Sequence, residues 1–169
     1  MATVTTDKFV LFWKSDSIYS NWYNFNSRFV WRFRRFENSE AALMYAKADF
    51  FKDEHICASV MVDQDPYSVK KLGRLVKPYN DKAWSLARYD LMVDILKAKF
   101  EQNPTMARRL LATGDRILVE ASPSDKIWGI GLAPDDPNAQ IPARWLGQNL
   151  LGKALMEVRE YLRNLPMAA

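Results

Sequence analysis

Two charged residues in this chain are spaced so that they could do chemistry together. Glu40 and Lys47 are seven residues apart, which puts both on one face of a helix. That face would carry Glu40, Leu43, Met44, Lys47 and Phe51. Unpaired charges are costly on an otherwise apolar face, so the pattern favours a ligand site. The alternative is that Glu40 occupies the first turn because of the helix dipole and that Lys47 is a solvated cation.

A second group lies near the end of the chain, in residues 125–131 (DKIWGIG) and 145–152 (WLGQNLLG). These segments contain four of the six glycines, and glycine allows positive φ and close approach to the backbone. Trp128 offers a flat face to a base or a sugar, and Asp125 offers a carboxylate beside it. A ligand pocket and a tight turn packed by two core tryptophans both fit this composition.

The scarcity of cysteine and histidine narrows the chemistry. Cys57 is the only cysteine, so the chain has no internal disulfide and no cysteine cluster for zinc. His55 is the only histidine, and no nucleophile-elbow sequence lies near it, which argues against a catalytic triad. Carboxylates, lysine and tyrosine are therefore the expected acids, bases and nucleophiles, and we predict no metal and no cofactor.

The composition predicts one globular domain over residues 1–169, with its core at about residues 9–164. Hydrophobic residues make up 49% of the chain and aromatic residues 13%, which excludes a disordered protein. No apolar run approaches the ~20 residues of a membrane helix. The first residues lack the small-residue cleavage site of a secretory signal. We therefore expect a cytoplasmic protein with no membrane partner.

The formal net charge of +4 is unevenly distributed. Residues 28–36 (RFVWRFRRF) interleave four arginines with four aromatic residues, and residues 70–74 (KKLGR) form a second basic cluster. Both stretches could face phosphates. The alternation in the first stretch also fits a half-buried strand, with aromatic side chains inward and arginines in water.

Hydrophobic periodicity and capping residues predict a mainly α protein with a few short strands, of the α+β class. Asn38 or Ser39 is expected to cap the helix that carries Glu40 and Lys47, and a glycine is expected to end the helix at residues 65–73. The predicted strands are residues 9–13, 29–33 and 116–121. The predicted helices are residues 40–51, 54–62, 65–73, 82–102, 103–114 and 143–164.

Several short motifs, taken in their order along the chain, resemble the NADAR family, whose members are also called YbiA-like proteins. The motifs are SNWY from Ser20, SEAALMYAK from Ser39, LATGD from Leu111, DKIWG from Asp125 and NLLG from Asn149. The resemblance extends over about residues 12–162. It implies a single-domain, α-rich N-glycosidase that cleaves the bond between the anomeric carbon of a ribose and a nitrogen.

The resemblance implies two kinds of substrate: ADP-ribose attached to guanine bases of nucleic acid, and phosphorylated intermediates of the riboflavin pathway. The expected ligand is therefore ADP-ribose or a ribose phosphate, with ADP-ribosylated DNA or RNA as a partner. We expect removal of ADP-ribose from guanine as the main activity. Trp22 stands where phenylalanine is common in the family, and the loop at residues 133–142 is of a variable kind, so the substrate stays open. A noncatalytic ADP-ribose reader and a general nucleic-acid binder are the other hypotheses.

The resemblance also suggests roles for individual residues. Positive charge builds at the anomeric carbon as the base leaves, so Glu40 is expected to act as acid and base, and Asp125 to orient ribose hydroxyls or assist water. Lys47 either holds a phosphate or hydroxyl as an ammonium or, as a neutral amine, attacks the anomeric carbon and gives a Schiff base. The expected substrate contacts are Asn21 and Asn149 at hydroxyls and phosphates, Trp22, Trp84 and Trp128 as stacking surfaces, Arg28 and Arg74 at the diphosphate, and Gly129, Gly131 and Gly152 at close backbone approaches. Core packing explains Trp84 equally well.

Overall fold

Six α-helices and five short strands are found in residues 3–165, the part of the chain that the computed structural model describes. The helices are α1 (Ser39–Phe50), α2 (Glu54–Val62), α3 (Pro66–Leu75), α4 (Asp81–Glu101), α5 (Pro104–Leu111) and α6 (Leu150–Asn164). The strands are β1 (Val4–Thr5), β2 (Phe9–Phe12), β3 (Phe29–Trp31), β4 (Arg34–Phe36) and β5 (Ile117–Glu120). The prediction of a mainly α protein with a few short strands is confirmed. None of the helices in this range has the length and apolar character needed to cross a membrane.

The described residues form two compact units. The terminal unit consists of residues 3–20 and 104–165 and contains β1, β2, α5, β5 and α6. The central unit consists of residues 21–103 and contains β3, β4 and the helices from α1 to α4. The single domain expected over residues 1–169 stays a prediction.

The terminal unit is built on a three-stranded sheet in the order β1-β2-β5. β2 pairs in parallel with β5, with Phe9 opposite Ile117, and pairs antiparallel with β1. All four residues of β2 are buried, as expected for an apolar strand with a neighbour on each side. α6 packs against β5, and its buried side chains include Leu155 and Val158. The sheet and α6 therefore hold both ends of the segment at residues 121–149.

Helix α1 is the element around which the central unit packs, because α2, α3 and α4 all contact it. Eight of its twelve residues are buried, and four of these are alanines. Alanine is small and has the highest helix propensity, so neighbouring helices can approach closely without weakening α1. The predicted cap is Asn38, whose Oδ1 accepts a hydrogen bond from the N–H of Ala41.

Helix α4 runs antiparallel to α1. Near one end of α1, the Nζ atom of Lys99 lies 3.3 Å from the Oγ atom of Ser39. Near the other end, the rings of Phe50 and Trp84 are 6.1 Å apart. One row of α4 is therefore directed toward α1, and its buried members include Trp84, Arg88, Met92 and Lys99.

The basic stretch at residues 28–36 folds differently from the prediction. A single strand was expected at residues 29–33, but β3 ends at Trp31 and pairs antiparallel with β4, with Trp31 opposite Arg34. Arg32 and Phe33 form the two-residue turn of this hairpin, with φ values of 47° and 62°. Phe33 is fully exposed, so the expectation that all the aromatic side chains point inward was wrong. The usual Asn-Gly signal for such a turn is absent, which is why the pattern concealed it.

Three predicted helices have different ends, and one of them, expected at residues 103–114, spans only Pro104–Leu111. The helix expected at residues 143–164 begins only at Leu150, because Pro142–Arg144 forms a short 3-10 turn and Asn149 is left-handed. The helix expected at residues 65–73 continues through Gly73 to Leu75. Gly73 therefore lies inside the helix, where an added Cβ would meet the side chain of Met44. The edge strand β1 was not predicted.

We expect Phe33→Gly to raise the free energy of unfolding by ~1 kcal/mol, because glycine adopts positive φ without the steric cost that an L side chain incurs. The exposed phenyl ring makes no packing contribution that would offset the gain. The matched control is Phe25→Gly, which removes another exposed aromatic ring at a residue outside the positive-φ set. Urea unfolding measures both variants, and equal destabilisation by the two changes would contradict the turn assignment.

Candidate active site

The start of α1 holds Glu40 in a buried position. Glu40 is only 6% exposed, and its backbone N–H donates to the carbonyl oxygen of Asn21 at 3.0 Å. The Oγ atom of Ser39 donates to Asn21 Oδ1 at 2.9 Å, while Asn21 Nδ2 donates to the sulfur of Met92 at 3.4 Å. Asn21 is thus next to Glu40. Its amide orients the first turn of α1, while the contact expected with substrate stays a prediction.

Lys99 is a second buried charged residue at this end of α1. Its side chain is fully buried, and its Nζ atom lies 3.3 Å from Ser39 Oγ. Burial lowers the pKa of the Lys99 amine to about 7, because the charged form loses hydration. The sequence placed Lys99 on the inner row of α4 without assigning it a role. The signal was present, since a lysine next to the apolar Phe100 in a buried row needs a specific environment.

Lys47 lies toward the other end of the same face of α1. It is half-buried, and its Nζ atom donates to the carbonyl oxygen of Gly73 at 2.7 Å and lies 4.4 Å from the centre of the Tyr79 ring. Burial lowers the pKa of the Lys47 amine, and the negative charge of Asp81 opposes this shift only in part. A larger share of neutral amine is therefore available for nucleophilic attack than in an exposed lysine.

Aromatic rings pack together near the C-terminal end of α1, after Lys47. Trp84 is 6% exposed and packs against Phe50, so its ring is part of the core at the end of α1. The rings of Phe51 and Tyr79 are 5.3 Å apart in an edge-on arrangement. Only the rim of Trp84 is free for a ligand, so the structure assigns it packing, and the stacking role stays a prediction.

Three other expected contacts lie in the central unit. Trp22 is half-buried, with the Nζ atom of Lys70 5.6 Å from its ring centre. Arg28 is largely exposed, and its Nε atom donates to Glu37 at 2.7 Å. Arg74 is exposed in the last turn of α3. The diphosphate roles of the two arginines stay predictions, and the ion pair of Arg28 would compete with a phosphate.

In the terminal unit, Asp125 shapes the turn that carries Trp128. Its Oδ1 atom accepts hydrogen bonds from the N–H groups of Ile127 and Trp128 at 2.9 and 2.8 Å. Its carbonyl oxygen accepts a third bond from the N–H of Gly131 at 3.1 Å. One carboxylate oxygen is thus used by the turn, which leaves Oδ2 for a ribose hydroxyl or water. The half-buried Trp128 is held by the same turn, and its stacking role stays a prediction.

Asn149 joins the second glycine-rich segment to β5. Its Oδ1 atom accepts from the N–H of Glu120 at 3.0 Å, and its Nδ2 atom donates to the carbonyl oxygen of Leu118 at 2.9 Å. Its backbone is left-handed, with φ of 52°, and the side chain is almost fully buried. The structure therefore gives this amide a stabilising role, while the expected contact with hydroxyls or phosphates stays a prediction.

The glycines of these segments allow backbone to pack against backbone. A Cβ on Gly152 would collide with the carbonyl oxygen of Leu118, and one on Gly129 would lie 2.9 Å from the carbonyl oxygens of Asp125 and Glu120. Gly131 has a φ of 71°, which favours glycine. Other atoms of the protein thus lie close to the backbone at these three glycines. The close approach of a ligand there stays a prediction.

Residues 3–165 contain no group of three or more histidine, cysteine, aspartate or glutamate side chains that could hold a metal ion.

A buried carboxylate and an amine of lowered pKa on one helix face are the groups of an acid–base or nucleophilic hydrolase, and similarity to known proteins identifies the class. The NADAR domain model matches residues 11–163, so the chain belongs to the NADAR domain family. It is 38% identical over 165 residues to an N-glycosidase of Acanthamoeba polyphaga mimivirus, covering 92% of this chain and 96% of the relative. The family and its curated N-glycosidases identify this chain as an enzyme that hydrolyses N-glycosyl compounds.

Two further matches are to a solved structure and to a longer relative. The NMR structure of YbiA from Escherichia coli superposes with a TM-score of 0.73 and 28% sequence identity, covering 95% of this chain and 88% of YbiA. A protein of Vibrio vulnificus named for riboflavin biosynthesis is 34% identical over 119 residues, which is 70% of this chain and 29% of that protein. The expected family and fold are thereby confirmed.

Two glycine substitutions should separate backbone collision from backbone strain. Gly152→Ala should lower the free energy of unfolding by ~3 kcal/mol or more, because the new methyl group meets a fixed carbonyl oxygen. Gly114→Ala should cost only ~1–2 kcal/mol, since its positive φ strains alanine but the space around it is open. Thermal and urea unfolding compare them. A smaller loss for Gly152→Ala than for Gly114→Ala would contradict the packing described here.

The buried amine of Lys99 makes stability depend on pH. Its pKa is about 7 in the folded protein and near its ordinary value of 10.5 in the unfolded chain, so between these pH values the unfolded chain binds more protons. Stability of the wild type relative to Lys99→Met should therefore rise from pH 7 to 9, by at most ~1.4 kcal/mol per pH unit. Lys82→Met, at an exposed lysine of α4, is the control and should show no such trend. A flat difference for Lys99→Met would refute the lowered pKa.

Proposed function

We propose that this N-glycosidase removes ADP-ribose from guanine bases of nucleic acid. The observation that carries the proposal is the pair formed by Glu40 and Lys47 on one face of α1. Glu40 is buried in the first turn of α1, and Lys47 carries an amine whose pKa is lowered by burial. Seven residues correspond to ~10 Å along a helix axis, a span in which a ribose and its leaving base can be accommodated.

The reaction needs an acid at the leaving nitrogen and stabilisation of positive charge on the sugar. We assign the acid to Glu40: its protonated carboxyl group gives a proton to the departing guanine nitrogen, which keeps the electron pair of the broken C–N bond. The resulting carboxylate then accepts a proton from the water that completes hydrolysis. The role expected for Asp125, orienting ribose hydroxyls or assisting water, stays a prediction.

For Lys47 we favour the nucleophilic role. The lone pair of the neutral Nζ atom forms a bond to the anomeric carbon as the bond to guanine breaks. Loss of a proton from Nζ and opening of the ribose ring, with protonation of the ring oxygen, give a Schiff base. Water then adds to the same carbon, and release of ribose restores the amine. The lowered pKa of Lys47 supports this role, because an ammonium group has no lone pair to donate.

Exposed cationic groups of the central unit favour a nucleic-acid substrate. Arg32, Arg34 and Arg35 are exposed around the turn of the hairpin formed by β3 and β4. Together with the formal net charge of +4, they would attract a polyanion. A small phosphorylated metabolite would gain less from charge outside its binding site.

The second candidate is cleavage of a phosphorylated riboflavin-pathway intermediate. It is favoured by the similarity to the Vibrio vulnificus protein that is named for riboflavin biosynthesis. The bond broken is again between a ribose carbon and a nitrogen, so the same residues serve both reactions. A noncatalytic reader of ADP-ribose is less well supported, since binding alone does not require a buried carboxylate and an amine of lowered pKa on one face.

Glu40→Gln should fold normally and lose turnover. With the proton donor removed, release of ADP-ribose from modified guanosine in DNA should fall by ~100-fold or more. Glu101→Gln, at an exposed glutamate of α4, is the matched control and should keep wild-type activity. The assay separates free ADP-ribose by chromatography and is run beside the aminopyrimidine ribose phosphate of the riboflavin pathway.

The outcomes of that assay distinguish the three functions. Faster turnover of modified guanosine than of the aminopyrimidine supports the proposal. Turnover of the aminopyrimidine alone would refute the proposal and support the second candidate. Binding of ADP-ribose without turnover of either substrate identifies a reader. Full activity of Glu40→Gln would show that this carboxyl group is not the acid.

A further inference from the structure

Arg88 is a buried cation whose role neither the sequence nor the reaction chemistry explains. It lies on the inner row of α4, one turn after Trp84 and one turn before Met92, and is 9% exposed. Within the part of the chain that the structure describes, its Nε atom is enclosed and has no hydrogen-bond partner. Burying a guanidinium group with an unsatisfied donor is costly. An anion that accepts a hydrogen bond from this donor would remove the cost.

The antiparallel packing of α4 on α1 places Arg88 along the stretch between Glu40 and Lys47. Trp84 is next to Phe50 at one end of α1, and Met92 is next to Asn21 at the other. Because Arg88 is between these two positions on the same row of α4, it is level with the middle of the face that carries the reacting groups.

Tyr79 is affected by the charges of both Lys47 and Arg88. The Nζ atom of Lys47 is 4.4 Å from the centre of this ring. Burial raises the pKa of the Tyr79 phenol, as does its hydrogen bond to Asp81, while the charge of Arg88 acts in the opposite direction. The positive charges of Lys47 and Arg88 therefore both act on Tyr79, and the Nε atom of Arg88 has no hydrogen-bond partner in residues 3–165. An anion with several oxygens fits this arrangement, since arginine presents a planar set of donors that matches phosphate.

We propose that Arg88 binds a phosphate group of the substrate, beside Lys47. The inference rests on the proposed function only in requiring a phosphorylated ribose, which both candidate substrates contain. It adds a phosphate ligand to the exposed Arg28 and Arg74 that the sequence suggested. It also leaves Lys47 free to act as the nucleophile.

The test measures binding of ADP-ribose and ribose 5-phosphate by calorimetry. Arg88→Met should weaken both ~10- to 100-fold, the loss expected when hydrogen bonds between charged groups are removed. Arg88→Lys should fall between the wild type and Arg88→Met, because it keeps the charge without the planar donors. Arg108→Met, at an exposed arginine of α5, is the control and should bind like the wild type.

Competition by inorganic pyrophosphate gives a second readout that does not need a variant. Pyrophosphate should displace ADP-ribose from the wild type, and more weakly from Arg88→Lys. If pyrophosphate does not compete, or Arg88→Met binds both ligands as tightly as the wild type, the phosphate role is wrong. A lower kcat with unchanged affinity would instead show that Arg88 positions Glu40, which also overturns the proposal.

Turnover assays separate this inference from the proposed function. Arg88-dependent binding of phosphate without hydrolysis of either substrate would leave the inference standing and refute the function. Hydrolysis by the wild type, together with unchanged phosphate affinity in Arg88→Met, would support the function and refute the inference.

Discussion

The burial of α1 by three other helices is the constraint on which the central unit depends. Four alanines let α2, α3 and α4 approach closely, and the same packing removes Glu40 and Lys47 from most of the surrounding water. In that environment charges interact more strongly and amines lose part of their affinity for protons. The residues that allow dense packing therefore also set the chemical state of the groups that α1 carries.

Three cations of the central unit are held in different ways. Lys99 is fully buried beside Ser39, where it belongs to the structure at the start of α1. Lys47 is half-buried, and its Nζ atom donates to the backbone carbonyl oxygen of Gly73. Arg88 is enclosed, and its Nε atom has no hydrogen-bond partner among residues 3–165. We propose a different role for each: Lys99 is part of the packing at the start of α1, Arg88 binds phosphate, and Lys47 attacks the sugar.

The sequence predicted those features that depend on local patterns. Asn38 as the cap of α1 follows from the preferences of short polar side chains at helix starts, and the helices follow from apolar periodicity. Tertiary context decided the rest. Phe33 was misplaced because its turn lacks the usual residues, and Arg88 was overlooked because its significance lies in what surrounds it. The side chain of Asn149 binds β5, a partner about thirty residues away that spacing alone could not reveal.

Borohydride trapping is the most direct test of the claim that Lys47 forms a covalent bond with the sugar. The enzyme is allowed to turn over ADP-ribosylated guanosine in the presence of borohydride, and its peptides are analysed by mass spectrometry, with heat-denatured protein as the control for nonspecific modification. We predict loss of activity together with a reduced ribose adduct on the peptide that contains Lys47. Continued turnover with no adduct on Lys47, or an adduct on another lysine, would contradict the mechanism.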